Sequence, residues 1–167
     1  MEAMQKIKCL TIEDSNFPDR LRKLSGMPKK LYYIGNLPDP KKPAAAVVGA
    51  RMCSPYGRCQ AFKYARTMAS YGVQIISGMA RGIDAEGHKG ALDTDTPTFA
   101  VLGSGVDVCY PNSNRWLYQR ILEKGGGIIS ELPPGSPPVN WAFPARNRII
   151  SGLSDAVLCL LYTSDAA

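Results

Sequence analysis

Two arginines in glycine-containing loops have the residue type and the setting to bind an anion. Arg51 lies two positions after Gly49, and Arg81 lies in the glycine-containing segment 77–82. Glycine lets a backbone approach a ligand closely and leaves N–H groups free to point at it, and the start of a helix adds a partial positive charge. Because phosphate binds where these features meet, we expect Arg51 and Arg81 to contact phosphate groups.

Basic residues are concentrated around these two loops. The 167 residues carry a formal net charge of +6, and the segment 44–92 holds six Lys or Arg residues against two acidic ones. A basic excess is compatible with an anionic partner but does not identify it. The alternative interpretation is solvated charge on helix surfaces, and it best suits Arg58, Lys63 and Arg66.

No standard nucleotide or cofactor signature accompanies the loops. The sequence contains no G-x-x-x-x-G-K-[ST] phosphate loop. Gly103-Ser104-Gly105 starts like a dinucleotide fingerprint but lacks the third glycine of that motif. The loops therefore predict an anion site without a bound cofactor.

Signatures of metal binding and of catalysis are equally sparse. The five cysteines are scattered without a C-x-x-C pair, and His88 is the single histidine. A zinc site needs about four ligands, usually in close pairs, so we expect no metal and interpret the cysteines as free thiols. We assign no catalytic residue and interpret His88 as orienting the loop between Asp84 and Lys89.

The same features indicate where the protein acts. The odd number of cysteines, without an apolar signal segment, fits a reducing cytosol and predicts a cytoplasmic protein. No run approaches the roughly 18 apolar residues of a membrane span. We therefore expect no membrane partner.

The elements that position these loops are short apolar runs alternating with helical patterns. The predicted strands are residues 44–48, 73–76, 98–102, 128–130 and 156–161. One predicted helix is capped by Ser54, with Pro55 at its first position, and ends at Gly72; another is capped by Asp84 and ends near Leu92. Two more are predicted at residues 115–124 and 147–153.

This alternation of strands and helices predicts parallel pairing and a doubly wound α/β sheet. In open sheets of this kind, ligands bind at the carboxyl ends of the strands. The loops 49–51, 77–82 and 103–105 are therefore expected to gather at one edge of the sheet.

The first 43 residues differ in character from the rest. They are polar and are interrupted by five prolines, which break any long helix. A short helix is predicted at 18–24 and a short strand or extended arm at 31–34. We interpret residues 1–43 as a lead-in that packs on the main domain, residues 44–161.

Six ordered motifs resemble those of the DNA-processing protein A family, also called Smf. In chain order they are FP (17–18) with PKKLYYIGN (28–36), VVGAR (47–51) with SPYG (54–57), SGMARGID (77–84) with HKGAL (88–92), VLGSGVD (101–107) with YP (110–111), SELPPG (130–135) and FPARNRIISGLS (143–154). The resemblance covers most of the chain, and six motifs in the same order make it specific.

The resemblance implies an extended Rossmann-like domain, with a mostly parallel, doubly wound sheet and helices on both faces, that binds single-stranded DNA. It also implies protection of incoming strands and loading of the RecA recombinase during natural transformation, without an established catalytic activity. The family's DNA contacts are an arginine in the first glycine loop and a lysine beside the histidine, which correspond to Arg51 and Lys89. Two such cations can bind consecutive phosphates, with an affinity that falls as salt rises.

Together, the glycine loops and the resemblance predict a set of DNA-binding residues. They are Gly49, Arg51, Ser54, Gly78, Arg81, Lys89, Gly103, Ser104, Gly105, Arg146, Asn147 and Arg148. For Arg146 and Arg148 the alternative is a structural pairing with an acid such as Glu131 or Asp155. Bases could stack on Tyr56 or Tyr110.

Two other functions stay open. A nucleotide phosphoribohydrolase shares the Rossmann-like architecture but carries a PGGxGTxxE loop. The nearest stretch here, KGGGIISE at 124–131, lacks the proline and the threonine of that loop. The second alternative is a protein that binds nucleotides at the same edge of the sheet.

The resemblance ends at about Leu160. The family continues with a helix start of the type SG.L.TA, further strands and helices, and often a winged-helix domain. We therefore expect a reading frame that is cut short, with residues 162–167 as non-native sequence. The family's homodimer rests partly on those later elements, so the resemblance does not extend to a dimer of this chain.

Overall fold

The apolar runs of the sequence form strands of one seven-stranded sheet. The computed structural model describes residues 6–161, so the tail 162–167 interpreted above lies outside the described residues. The strands are β1 (Lys8–Thr11), β2 (Lys30–Gly35), β3 (Ala44–Gly49), β4 (Gln74–Ser77), β5 (Thr98–Val101), β6 (Gly127–Ser130) and β7 (Ala156–Leu160).

The strands are arranged across the sheet in the order β1-β2-β6-β5-β4-β3-β7. The strands from β6 to β7 in this order are parallel, which confirms the mostly parallel sheet predicted from the sequence. The arm predicted at 31–34 is strand β2, which pairs antiparallel with β6. Strand β1 was not predicted, because its four residues are exposed or half-buried and form no apolar run.

Local sequence signals account for most of the helices in residues 6–161. The helices are α1 (Asp19–Arg22), α2 (Pro55–Ser70), α3 (Ile83–Leu92), α4 (Arg115–Glu123) and α5 (Ala142–Gly152). The predicted start of α2 is confirmed, since the Ser54 hydroxyl accepts a hydrogen bond from the Gly57 N–H at 3.1 Å. Helix α5 begins earlier than the predicted Asn147, because Pro144 lies in its first turn, where proline is tolerated. None of the helices in this part of the chain is both long and apolar enough to cross a membrane.

Alternate residues of the central strands face opposite layers of helices. In β3, Ala45 and Val47 belong to a core cluster with α2 and α3, whereas Ala44 and Ala46 belong to one with α5. This alternation is the period of two expected of a strand. Helices α2, α3 and α4 therefore cover one face and α1 and α5 the other, which confirms the prediction of helices on both faces.

The order of the strands reverses beside β3. Strands β3 to β6 follow one another toward one edge, and β7 then returns to the other side of β3. A reversal of this kind opens a crevice at the carboxyl ends of the two flanking strands, where open α/β sheets bind ligands. Here the crevice lies beside Gly49 and Leu160, which are paired at the ends of β3 and β7.

Candidate functional site

Two neighbouring cavities open at the carboxyl edge of the sheet. The first has a volume of about 400 Å³ and lies in the crevice beside β3 and β7. The second, of about 290 Å³, is bounded by the loops that follow β3, β4 and β5. Four residues line both cavities: Arg51, Ala80, Phe143 and Arg146. The three large side chains among them, those of Arg51, Phe143 and Arg146, form a wall that the two cavities share.

The Phe143 ring is the centre of this wall. The guanidinium carbon of Arg51 lies 5.0 Å from the ring centroid, and that of Arg146 lies 5.8 Å away. The ring of Tyr110 packs against it at a centroid distance of 5.6 Å. Both guanidinium groups are within the range of a cation–π contact. Sequence reasoning did not single out Phe143, although it begins the motif FPARNRIISGLS.

Arg51 and Arg81 carry the positive charge that the cavities present to solvent. Both side chains are exposed, and neither forms an ion pair within residues 6–161. Both line the second cavity, and Arg51 also lines the first. The structure thus brings together the two arginines that the glycine loops predicted. Their charges are available to an anion.

Arg146 is held inside the protein and connects three elements. It is 5% exposed, and its Nη1 donates to the carbonyl oxygens of Gly78 at 2.5 Å and Val101 at 2.7 Å. Its Nη2 lies 3.9 Å from the Asp84 carboxylate. Arg146 therefore fastens α5 to the ends of β4 and β5. Its acidic neighbour is Asp84 rather than Glu131 or Asp155, the acids named in the sequence-based alternative.

Asp84 does not cap α3; its side chain bonds to the loop that follows β4. The predicted cap is wrong, since α3 begins at Ile83 with Gly82 as its N-cap residue. The buried Asp84 carboxylate accepts a hydrogen bond from the Gly78 N–H at 3.1 Å. Burial raises the pKa of this carboxyl, while the Arg146 guanidinium and backbone N–H groups of the loops act in the opposite direction.

The loop between β4 and α3 is shaped by two residues with positive φ. Gly82 has φ 76°, and a Cβ at this position would lie 2.3 Å from the carbonyl oxygen of Ala50. Met79 has φ 63°, which is uncommon for a residue with a side chain. The two loops that carry Arg51 and Arg81 are therefore packed directly on each other.

The third loop predicted to bind an anion, residues 103–105, is buried in the protein. Gly103, Ser104 and Gly105 are buried, the Ser104 hydroxyl donates to the Val108 carbonyl at 2.7 Å, and the Gly105 N–H donates to the Ser136 carbonyl at 2.9 Å. The hydroxyl of Ser104 and the N–H of Gly105 are thus used within the chain.

The motif residues that follow Arg146 have different surroundings. Asn147 is exposed and lines the first cavity. Arg148 is half-buried and donates to the Glu131 carboxylate at 2.6 Å, which is the structural pairing considered for it from the sequence.

Lys89 lies away from both cavities. It is on α3, where its ammonium forms an ion pair with Glu86 at 2.7 Å and lies 5.7 Å from the centre of the Trp116 ring. It is not among the residues that line either cavity. The structure therefore does not bring Lys89 into the arginine cluster of Arg51.

His88 belongs to the core of the domain. Its side chain is completely buried, and its Nδ1 lies 2.7 Å from the hydroxyl oxygen of Thr98 on β5. Burial, with a smaller effect of the Arg146 charge, lowers the pKa of His88 to about 3. The interpretation that His88 orients a loop between Asp84 and Lys89 is wrong, since these residues lie within helix α3 and His88 ties that helix to the sheet.

Metal-ligating side chains are dispersed in the part of the chain that the structure describes. Within residues 6–161, no three His, Cys, Asp or Glu side chains are close enough to hold a metal ion together. The five cysteines are free thiols.

Comparisons with known proteins identify close sequence relatives. The sequence model of the family described as DNA recombination-mediator protein A matches residues 8–164. Protein Smf of Borreliella burgdorferi is 40% identical over 152 residues, covering 91% of this chain and 48% of that protein. The DNA processing protein DprA of Streptococcus pneumoniae is 40% identical over 154 residues, covering 92% of this chain and 54% of that protein. The chain spans about half the length of these two curated relatives.

Solved structures of proteins with the same family name also match this chain. The X-ray structure of DNA processing protein A from Streptococcus pneumoniae matches with a TM-score of 0.84 and 39% identity, over 93% of this chain and 54% of that chain. DNA processing protein A from Helicobacter pylori, whose structure is described in terms of a single-stranded DNA binding mode, matches with a TM-score of 0.82 and 30% identity. That match covers 99% of this chain and 74% of the other.

Proposed function

This chain belongs to the DNA recombination-mediator protein A family, and on this premise we propose that it binds single-stranded DNA at the carboxyl edge of its sheet. The observation that carries the proposal is the pair of exposed arginines, Arg51 and Arg81, beside the packed rings of Phe143 and Tyr110. Proteins that bind single strands combine cations for the phosphates with aromatic rings for the bases.

Different residues of the predicted set have different roles in this proposal. Arg51 and Arg81 contact phosphates directly, and the exposed amide of Asn147 faces the strand in the first cavity. Arg146 is a positioning residue, because its guanidinium is committed to backbone carbonyls. Lys89 contacts a more distant part of the strand.

The remaining members of the set shape the loops rather than contact DNA through their side chains. Ser54 caps α2, Arg148 pairs with Glu131, and the glycines allow the close approach of loops and sheet. These members are Gly49, Ser54, Gly78, Gly103, Ser104, Gly105 and Arg148. Their effect on DNA binding is therefore indirect.

The cellular role proposed is that of a mediator of recombination. The protein protects incoming strands and helps to load the RecA recombinase on them in the cytoplasm during natural transformation. The family membership supports this role, and the assignment as a binding protein rather than an enzyme follows the same relationship. RecA is accordingly the proposed protein partner.

A salt-dependent binding measurement tests the DNA site. Fluorescence anisotropy of a labelled single-stranded oligonucleotide is recorded over a salt series for the wild type, Arg51→Ala, Lys89→Ala and the double variant. Loss of a charged hydrogen bond weakens binding by about 10-fold or more, and each lost phosphate contact on a single strand reduces the slope of log K against log salt by about 0.7. The double variant is therefore expected to bind severely more weakly, with a slope reduced by about 1.4.

Lys124→Ala is the matched control for this measurement. Lys124 is exposed at the C-terminal end of α4, which leads into the start of β6 at the opposite edge of the sheet from the cavities, so its loss should leave affinity within about twofold. Wild-type affinity in the double variant would show that the site is elsewhere. A wild-type protein that binds no oligonucleotide but hydrolyses nucleoside monophosphates would instead support the phosphoribohydrolase alternative.

A further inference from the structure

Trp116 is a large aromatic side chain that lies neither in the hydrophobic core nor in the lining of the two cavities. It lies in the first turn of α4, and it is 50% exposed. The buried side of the same helix is formed by Leu117 and Ile121. Trp116 thus lies outside the packed face of α4, with half of its surface in contact with solvent.

A cation is fixed beside the Trp116 ring. The Lys89 ammonium lies 5.7 Å from the ring centre, and the Glu86 carboxylate holds it at 2.7 Å. The Glu86 charge offsets that of Lys89, and the residue before Trp116, Arg115, supplies a second positive charge on this part of the surface. Arg115 is exposed and forms no ion pair within residues 6–161.

A short segment connects this surface to the second cavity. Tyr110 lines that cavity and is 45% exposed, and the 3-10 helix Asn112–Asn114 follows it and leads directly into α4. The Asn114 side chain donates to the Met79 carbonyl oxygen at 2.8 Å, which ties this segment to the loop that carries Arg81. An extended ligand that leaves the second cavity along this segment therefore reaches Trp116.

We propose that Trp116 is a base-stacking residue for single-stranded DNA, which passes from the cavities along residues 110–115 and places a base on the exposed indole and a neighbouring phosphate near Lys89 and Arg115. This inference rests on the proposed function. A polyanion with flat bases fits this surface, because the surface alternates one large aromatic ring with cations. The inference also lets Lys89, which does not line the cavities beside Arg51, contact the same DNA strand.

Tryptophan fluorescence tests this inference directly. The sequence contains two tryptophans, Trp116 and Trp141, so Trp141→Phe leaves Trp116 as the sole indole. This variant is titrated with oligo(dT) of about 12 nucleotides, within the range of strand lengths that single-strand-binding domains occupy, and anisotropy is recorded in parallel. Stacking on a base should quench Trp116 fluorescence in step with binding.

Substitutions at Trp116 supply the second readout. Stacking on an aromatic side chain predicts a rise in Kd of about 5-fold to 150-fold for Trp116→Ala, and a smaller rise for Trp116→Phe, which keeps a ring. Tyr71→Ala is the matched aromatic control, because Tyr71 is 83% exposed and follows the far end of α2. Its Kd should stay at the wild-type value. Circular dichroism verifies that each variant is folded.

The outcomes separate this inference from the function on which it rests. Unchanged Trp116 fluorescence at saturating DNA, or wild-type affinity in folded Trp116→Ala, overturns the stacking role while DNA binding itself stands. If the wild type shows no anisotropy change with the oligonucleotide at low salt, the proposed function fails, and the stacking role fails with it. Quenching together with weakened binding in the alanine variant supports both.

Discussion

The buried imidazole of His88 should make the stability of this protein fall between neutral and mildly acidic pH. The Thr98 hydroxyl donates to the Ile75 carbonyl oxygen at 2.7 Å, so the Nδ1–H of His88 must be the donor in their shared hydrogen bond of 2.7 Å. Nε2 then carries the lone pair, and it is buried without a hydrogen-bond partner. Protonation would create a buried N–H without an acceptor and a charge without solvent.

The size of the effect follows from proton linkage. The pKa of His88 is about 3 in the folded protein, against an ordinary value of 6.5 in the unfolded chain. Between these values the unfolded chain binds a proton that the folded protein does not, so stability is lost as pH falls. Well below the unfolded-state pKa each pH unit costs about 1.4 kcal/mol, and lowering the pH from about 7 to 5 costs about 2 kcal/mol in total. This is a large part of the roughly 5–15 kcal/mol that stabilises a typical domain.

Urea denaturation followed by circular dichroism at about pH 7 and pH 5 measures this loss. His88 is the single histidine of the sequence, so His88→Gln removes histidine titration and retains an N–H donor for Thr98. The wild type should lose about 2 kcal/mol more than this variant between the two pH values. Carboxyl groups titrate in both proteins and cancel in the difference. Equal losses in the two proteins would refute the assignment of a neutral, buried imidazole.

Two further predictions concern stability. Arg146→Met leaves the buried Asp84 carboxylate without its cation and should destabilise the domain by about 3–5 kcal/mol in urea denaturation. The control is Arg120→Met, which removes an exposed ion pair with Glu123 and should cost less than about 1 kcal/mol. Similar losses of stability in the two variants would show that Arg146 does not hold the elements together. Ser54→Ala removes the cap of α2 and should cost about 1 kcal/mol, measured in the same assay, and an unchanged unfolding midpoint would contradict this role of the hydroxyl.

The parallel core of the sheet could be predicted because its signals are local. The alanine and valine run of β3 is apolar over its whole length, as expected of a strand covered on both faces, and Ser54 with Pro55 marks a helix start by short-range chemistry alone. Strand β1 could not be predicted. Its residues are half-exposed, and they form a strand because the neighbouring β2 offers a free edge.

The candidate site was predicted in part for the same reason. A glycine loop with an arginine can be recognised from neighbouring residues, and Arg51 and Arg81 do line one cavity. Phe143 was missed, since its importance comes from contacts with Arg51, Arg146 and Tyr110, which lie far from one another in the chain.

The class of fold, the family and the loops that carry exposed cations can be recognised from the order of the amino acids alone, because each of these depends on patterns among neighbouring residues. Which polar groups are free to bind a ligand depends instead on how the chain folds. Arg51 and Arg146 are both arginines in motif positions. The Arg51 side chain is exposed to solvent, whereas that of Arg146 is buried and hydrogen-bonded to backbone carbonyls. The difference depends on burial and on partners brought from distant segments, which spacing along the chain does not encode.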